Sequence, residues 1–150
     1  QPVSNKDLKR TASGYGYRND PIYHVRRFHH GMDFACDTGT PVYATANGKV
    51  VYAKWKSGYG NLVEIDHGYG YKTRYAHLSK ILVKEGQKVV RSEEIAKAGS
   101  TGKSTGPHVH YEVWIGNKDV NPINYYFMDL DAEQYEEMVN LAENHGKVFD

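Results

Sequence analysis

Gly48-Lys49-Val50-Val51-Tyr52-Ala53, Asn61-Leu62-Val63-Glu64-Ile65-Asp66 and Tyr71-Lys72-Thr73-Arg74-Tyr75-Ala76 follow one another along the chain and decide the fold class. Each run is rich in β-branched and aromatic residues, which suit a pleated surface, and each is soon cut off by glycine. The same texture recurs upstream in Pro41-Val42-Tyr43-Ala44 and downstream in His108-Val109-His110-Tyr111-Glu112-Val113-Trp114. Asn47-Gly48 and Gly68-Tyr69-Gly70 supply the residues that tight hairpin turns require. No helical crossover pattern separates the runs, so the expectation is an all-β, antiparallel core over residues 14–126.

The two ends read differently. Residues 1–13 are polar and aperiodic, which predicts a flexible lead-in that adds little core. Over residues 127–150, Asp131 can cap a helix with Gln134 three residues on, Tyr135, Met138, Val139 and Ala142 recur at helical spacing, and Gly146 stands at a stop. This predicts one C-terminal amphipathic helix packed on the domain.

The 150 residues suit a single domain. With 19 basic against 18 acidic residues, the chain has no field that would draw it to nucleic acid. The lone Cys36 excludes an internal disulfide framework without fixing the compartment. No apolar run approaches the ~20 residues of a membrane span, and the start at Gln1 implies that any export signal is absent from this chain.

Two clusters carry the chemistry: His29-His30-Gly31-Met32-Asp33 and His108-Val109-His110. Imidazoles with a carboxylate are the ligand set of hydrolytic zinc, which keeps one position open for water. His108 and His110 lie two apart in a strand-like run, so both leave the same face with α-carbons roughly 6.5–7 Å apart. One can ligate while the other handles protons. His29 and Asp33, four apart, would be separated by roughly 13 Å in a straight strand, so the backbone must bend between them, and Gly31 makes a bend cheap. Taken alone, a histidine pair in a strand can equally be packing or surface decoration, but a second cluster beside a bendable glycine makes coincidence harder.

Gly16-Tyr17-Arg18-Asn19-Asp20-Pro21-Ile22, Phe28-His29-His30-Gly31-Met32-Asp33-Phe34, Gly39-Thr40-Pro41-Val42, Gly48-Lys49-Val50, Tyr75-Ala76-His77-Leu78-Ser79 and the long run Gly99 to Glu112 occur in an order that resembles the lysostaphin-type, or LytM-like, zinc endopeptidases of peptidoglycan. The resemblance spans roughly residues 14–124. It implies the antiparallel, duplicated hybrid motif-like core of that family and one zinc ion per chain held by His29, Asp33 and His110. His77 and His108 become the catalytic histidines, with Tyr23 as an oxyanion-stabilising tyrosine and Arg18 as a nearby positive charge. The implied substrate is peptidoglycan peptide, cut at D-alanyl cross-links or glycine bridges. The implied address is the cell envelope, periplasmic or secreted.

Other readings are weaker on their chemistry. Gly102-Lys103-Ser104 suggests a phosphate-binding loop, but Lys97 stands where that motif needs glycine and Pro107 forbids the following helix. His30 could replace His29 as ligand on chemistry alone. His24, His67 and His145 lack a second ligand cluster and read as surface or hydrogen-bonded structural residues, His67 closing a turn after a strand. Cys36 reads as a small buried side chain. Two further function classes remain: a non-catalytic wall-binding or amidase-activating module, recognised by lost ligands, and a structural zinc domain with four protein ligands.

Overall fold

The computed structural model describes residues 1–8, 31–102, 104 and 106–121, and the backbone alone of 16–19 and 26–29. The expected C-terminal helix lies outside the described residues. Among them the strands are β1 (Gly16–Asn19), β2 (Arg26–His29), β3 (Met32–Ala35), β4 (Pro41–Tyr43), β5 (Gly48–Lys56), β6 (Gly60–Gly68), β7 (Tyr71–Leu78), β8 (Lys80–Ile81), β9 (Lys88–Val89), β10 (Glu94–Lys97), β11 (His108–Ile115) and β12 (Lys118–Val120). Every pairing is antiparallel. The main sheet runs β12-β11-β7-β6-β5-β9, with β3 also paired to β11; β4-β10-β8 and β1-β2 form two smaller sheets. The all-β antiparallel expectation is met.

Turn chemistry explains one hairpin directly. Gly68 pairs with Tyr71, and the two residues between them, Tyr69 and Gly70, both have positive φ (54° and 79°), the turn whose twist matches paired strands. Asn47-Gly48 behaves otherwise. It opens β5 but does not join it to β4, which pairs with β10 instead. A side chain at Gly48 would come within 2.6 Å of the Asp66 carbonyl oxygen, so glycine is needed there for close strand packing.

Alternation sorts the two faces of the main sheet. Val63, Ile65, Tyr75, Val109, Tyr111 and Val113 point into one core, with Phe34, Val42, Val50 and Ile95. Cys36 is buried there as a free thiol. Val3 is fully buried in the same cluster, and the Tyr43 amide donates to the Pro2 carbonyl at 2.8 Å. The polar lead-in therefore does contribute to the core: one valine suffices to dock it, and a single residue has no periodicity to betray it.

His67 belongs to β6 rather than to a turn after it. Its Nδ1–H donates to the Asn47 carbonyl at 2.7 Å, Nε2 accepts from the Thr73 hydroxyl at 2.7 Å, and the ring stacks on Tyr71. Thr73, Tyr75, Thr45 and Tyr111 continue this chain of hydroxyl contacts through the core. Burial pushes the His67 pKa down to about 4, against a smaller upward pull from the Asn47 hydrogen bond and Asp66. The unfolded chain thus binds a proton, near pH 6.5, that the folded chain refuses until about pH 4. Stability from this ring is complete above pH 6.5 and is lost as pH falls toward 4, by about 3 kcal/mol in all. Urea midpoints measured from pH 7 down to 4.5 should fall more steeply for the native chain than for His67→Gln; parallel slopes would refute the assignment.

No helix among the described residues is long and apolar enough to cross a membrane.

Candidate active site

The second face of β11 carries His108, His110, Glu112 and Trp114, because residues two apart in a strand share a side. Register then delivers their neighbours. Asp33 of β3 lies directly opposite His110 on one flank, and Ala76 of β7 lies opposite it on the other. Further along, Glu112, Arg74 and Glu64 stand side by side across β11, β7 and β6.

Gly31 makes the Asp33 approach possible. The chain does bend at Gly31, as expected, but without a positive φ; what glycine supplies there is the absence of a Cβ. A Cβ at this position would collide with the Tyr111 carbonyl oxygen and sit 2.9 Å from His110 Cε1 and 3.0 Å from Glu112 Cγ.

His77 reaches the site by breaking alternation. Tyr71, Thr73 and Tyr75 face the core, so regular strand geometry would send His77 the same way. Its φ of 61° turns the ring instead to within 4.9 Å of the His108 ring and 5.9 Å of the His110 ring, centroid to centroid. A left-handed conformation is costly for a non-glycine residue and needs surrounding support. That support comes from the Tyr59 carbonyl, which accepts the His77 amide at 2.8 Å, and from Thr101, whose hydroxyl accepts from the Asn61 amide of β6 and donates to the Leu78 carbonyl of β7.

The three imidazoles are held in opposite senses. His77 donates Nδ1–H to the Thr101 carbonyl at 2.6 Å, and His108 donates Nδ1–H to the Gly106 carbonyl at 2.7 Å. Each neutral ring therefore keeps its lone pair on Nε2, and the His108 Nε2 lies 3.6 Å from Asp33 Oδ1. His110 is reversed: Nδ1 lies 2.7 Å from Asp33 Oδ1 and Nε2 lies 2.8 Å from Glu112 Oε2. Burial disfavours a charged His110, but hydrogen bonds to Asp33 and Glu112 outweigh it and raise the pKa to about 9. Burial has the opposite result at His77, lowering its pKa to about 4 with help from the neighbouring His108 and His110. Glu112 would be driven up by burial, yet its hydrogen bond to His110 holds it below the usual carboxylate range.

The donor set suits a divalent ion. Asp33 and His110 share a proton across 2.7 Å, and these are donor types that a metal ion can use in the proton's place. Among the described residues no group of three His, Cys, Asp or Glu side chains is arranged to hold a metal. The third expected ligand, His29, ends β2 opposite Gly16, with its side chain outside the described residues. The side chain of Arg18, in β1, and all of Tyr23 and His30 are outside them as well. Asp33, His77, His108 and His110 do come together. From His108 the chain runs as strand β11, where a phosphate-binding loop would continue into a helix.

Sequence reasoning missed Glu112, Tyr59, Arg74 and the Thr101 and Gly106 carbonyls. Only Glu112 had a usable signal: it continues the two-residue spacing His108, His110, Glu112.

The family described as Peptidase family M23 matches residues 27–122. A DD-carboxypeptidase/endopeptidase, Mpg, of Neisseria meningitidis serogroup B is 49% identical over 115 residues, covering 77% of this chain and 26% of that protein. The chain thus spans about a quarter of the length of this curated relative. A zinc-containing peptidase from Vibrio cholerae aligns with a TM-score of 0.73 at 45% identity, over 80% of this chain and 37% of that one. The catalytic domain of lysostaphin from Staphylococcus simulans aligns with a TM-score of 0.72 at 34% identity, over 79% of this chain and 92% of that domain.

Proposed function

We propose that this chain, which belongs to peptidase family M23, is a zinc-dependent endopeptidase that hydrolyses peptide cross-links or bridges of peptidoglycan. The observation that carries the reading is the sorted set of imidazoles: His77 and His108 offer Nε2 lone pairs while His110 turns Nδ1 toward Asp33. In this reading His29, Asp33 and His110 hold one zinc ion per chain. Zinc, when bound, supplies a Lewis acid that polarises the scissile carbonyl and lowers the pKa of the attacking water toward about 7.

The remaining steps belong to the protein. His108 accepts a proton from the attacking water at Nε2, which its Gly106 hydrogen bond keeps unprotonated in the neutral ring. His77, held neutral by burial, orients the water through Nε2. The proton taken up at Nε2 of one of these rings passes to the departing amine, leaving both neutral again. Tyr23 and Arg18 are assigned to the charge that develops on the carbonyl oxygen. The name of the Neisseria relative favours the D-alanyl cross-link of the two candidate bonds. Such a substrate places the protein in the cell envelope, periplasmic or secreted. A non-catalytic wall-binding module would be marked by lost site residues, and none of the expected five is lost from this sequence.

Digestion of purified sacculi of differing cross-link chemistry tests the proposal. New amino ends should come from D-alanyl cross-links, vanish after chelation and return with about one equivalent of zinc, as three protein ligands and an open position require. Cleavage that survives complete metal removal would overturn it.

A further inference from the structure

We propose that Glu112 is a positioning residue that fixes which nitrogen His110 presents to the metal; the inference rests on the zinc reading above. Glu112 has a relative exposure of only 2%, on the site face of β11. Its Oε2 accepts the His110 Nε2–H at 2.8 Å, while Oε1 accepts Trp114 Nε1–H at 2.8 Å and the Tyr59 hydroxyl at 3.1 Å. Arg74 places Nη1 3.9 Å from Oε1 and 3.2 Å from the Tyr59 oxygen, lies over the Trp114 ring, and is itself bonded to Glu64. The carboxylate is therefore held from several sides, and its direct contact with the expected ligands, among the described residues, is through His110.

A buried carboxylate that accepts from one imidazole nitrogen keeps the proton there and leaves the lone pair on the other. At His110 the proton that can be given up is then the one on Nδ1, which donates to Asp33 in the metal-free ring and whose loss frees that lone pair for the ion. The same sorting is done at His77 and His108 by backbone carbonyls, which no substitution can remove. The Ser104 hydroxyl also approaches His108 Nδ1, at 3.2 Å, but among these three rings it is at His110 that the described partners of both nitrogens are side-chain carboxylates. Tyr59 ties the two arrangements together, since its carbonyl anchors the His77 amide and its hydroxyl anchors Glu112.

Glu112→Gln keeps the shape but must set an amide N–H against the His110 Nε2–H, or turn away its bonds to Trp114 and Tyr59. Competition with a fluorescent chelator on the whole chain should show zinc affinity lower by about 10–100-fold in Glu112→Gln. Nitrogen-15 spectra of the metal-free chain, recorded above about pH 9 where the His110 ring becomes neutral, should shift from the Nε2–H toward the Nδ1–H tautomer in Glu112→Gln, a change that a purely structural carboxylate would not cause. Trp114→Phe removes one Glu112 donor and serves if the first variant does not fold; a loss of a few-fold is expected. Zinc affinity within twofold of native in the folded variant, with an unchanged tautomer, would overturn the inference while leaving the zinc reading intact. A native chain that binds no zinc would overturn both.

Discussion

His110→Ala is expected to lose zinc and muropeptide cleavage together, whereas His108→Ala should keep about one zinc per chain and lose only rate. The contrast follows from ring orientation. His110 turns Nδ1 to Asp33 across the β3–β11 register, so its removal takes a donor from the cation position. His108 holds its Nε2 3.6 Å from Asp33 with the proton locked on Nδ1, an arrangement for accepting a proton beside the cation. Loss of such a base costs about 10²–10⁴-fold in kcat/KM. His77→Asn should resemble His108→Ala, since asparagine tolerates the left-handed backbone better than other replacements. Elemental analysis and cleavage rates on the same samples check all three. Full zinc loss in His108→Ala would exchange the roles of the two histidines, and retained cleavage in His110→Ala would remove the site altogether.

What was readable beforehand divides along the range of the interactions. Period-two patterning depends on local sterics and burial, so the runs around Val50, Val63 and Tyr75 announce antiparallel strands without knowledge of their partners. It also puts His108 and His110 on one face, which β11 displays. Strand register depends on distant segments; the pairing of His110 with Asp33, 77 residues away, could be expected only from the resemblance. His77 is the sharper case. Alternation assigns its side chain to the core, and only the left-handed φ, enforced by Tyr59 and Thr101, sends it to the site. The docking of Val3 and the failure of Asn47-Gly48 to form a hairpin have the same origin: long-range packing overrides a local signal.

Gly31→Ala should disable the site while leaving every expected ligand in the sequence. The added methyl would collide with the Tyr111 carbonyl oxygen, part of the β11 backbone, so no change of side-chain rotamer can relieve it. Its other neighbours are His110 Cε1 at 2.9 Å and Glu112 Cγ at 3.0 Å, both fixed by the hydrogen bond between their side chains. Relief therefore requires the start of β3 to move off β11, and the next residue but one is Asp33, whose carboxylate must then leave Nδ1 of His110. Overpacking of this kind costs about 1–3 kcal/mol. A rise in stability is excluded on this geometry, even though alanine restricts the unfolded chain more than glycine does. Urea denaturation of the metal-free protein should register the lower stability, and chelator competition should register weaker zinc binding in the same variant. Native zinc affinity in Gly31→Ala would mean that Asp33 does not depend on the close approach of β3 to β11, and would remove the steric account of this glycine.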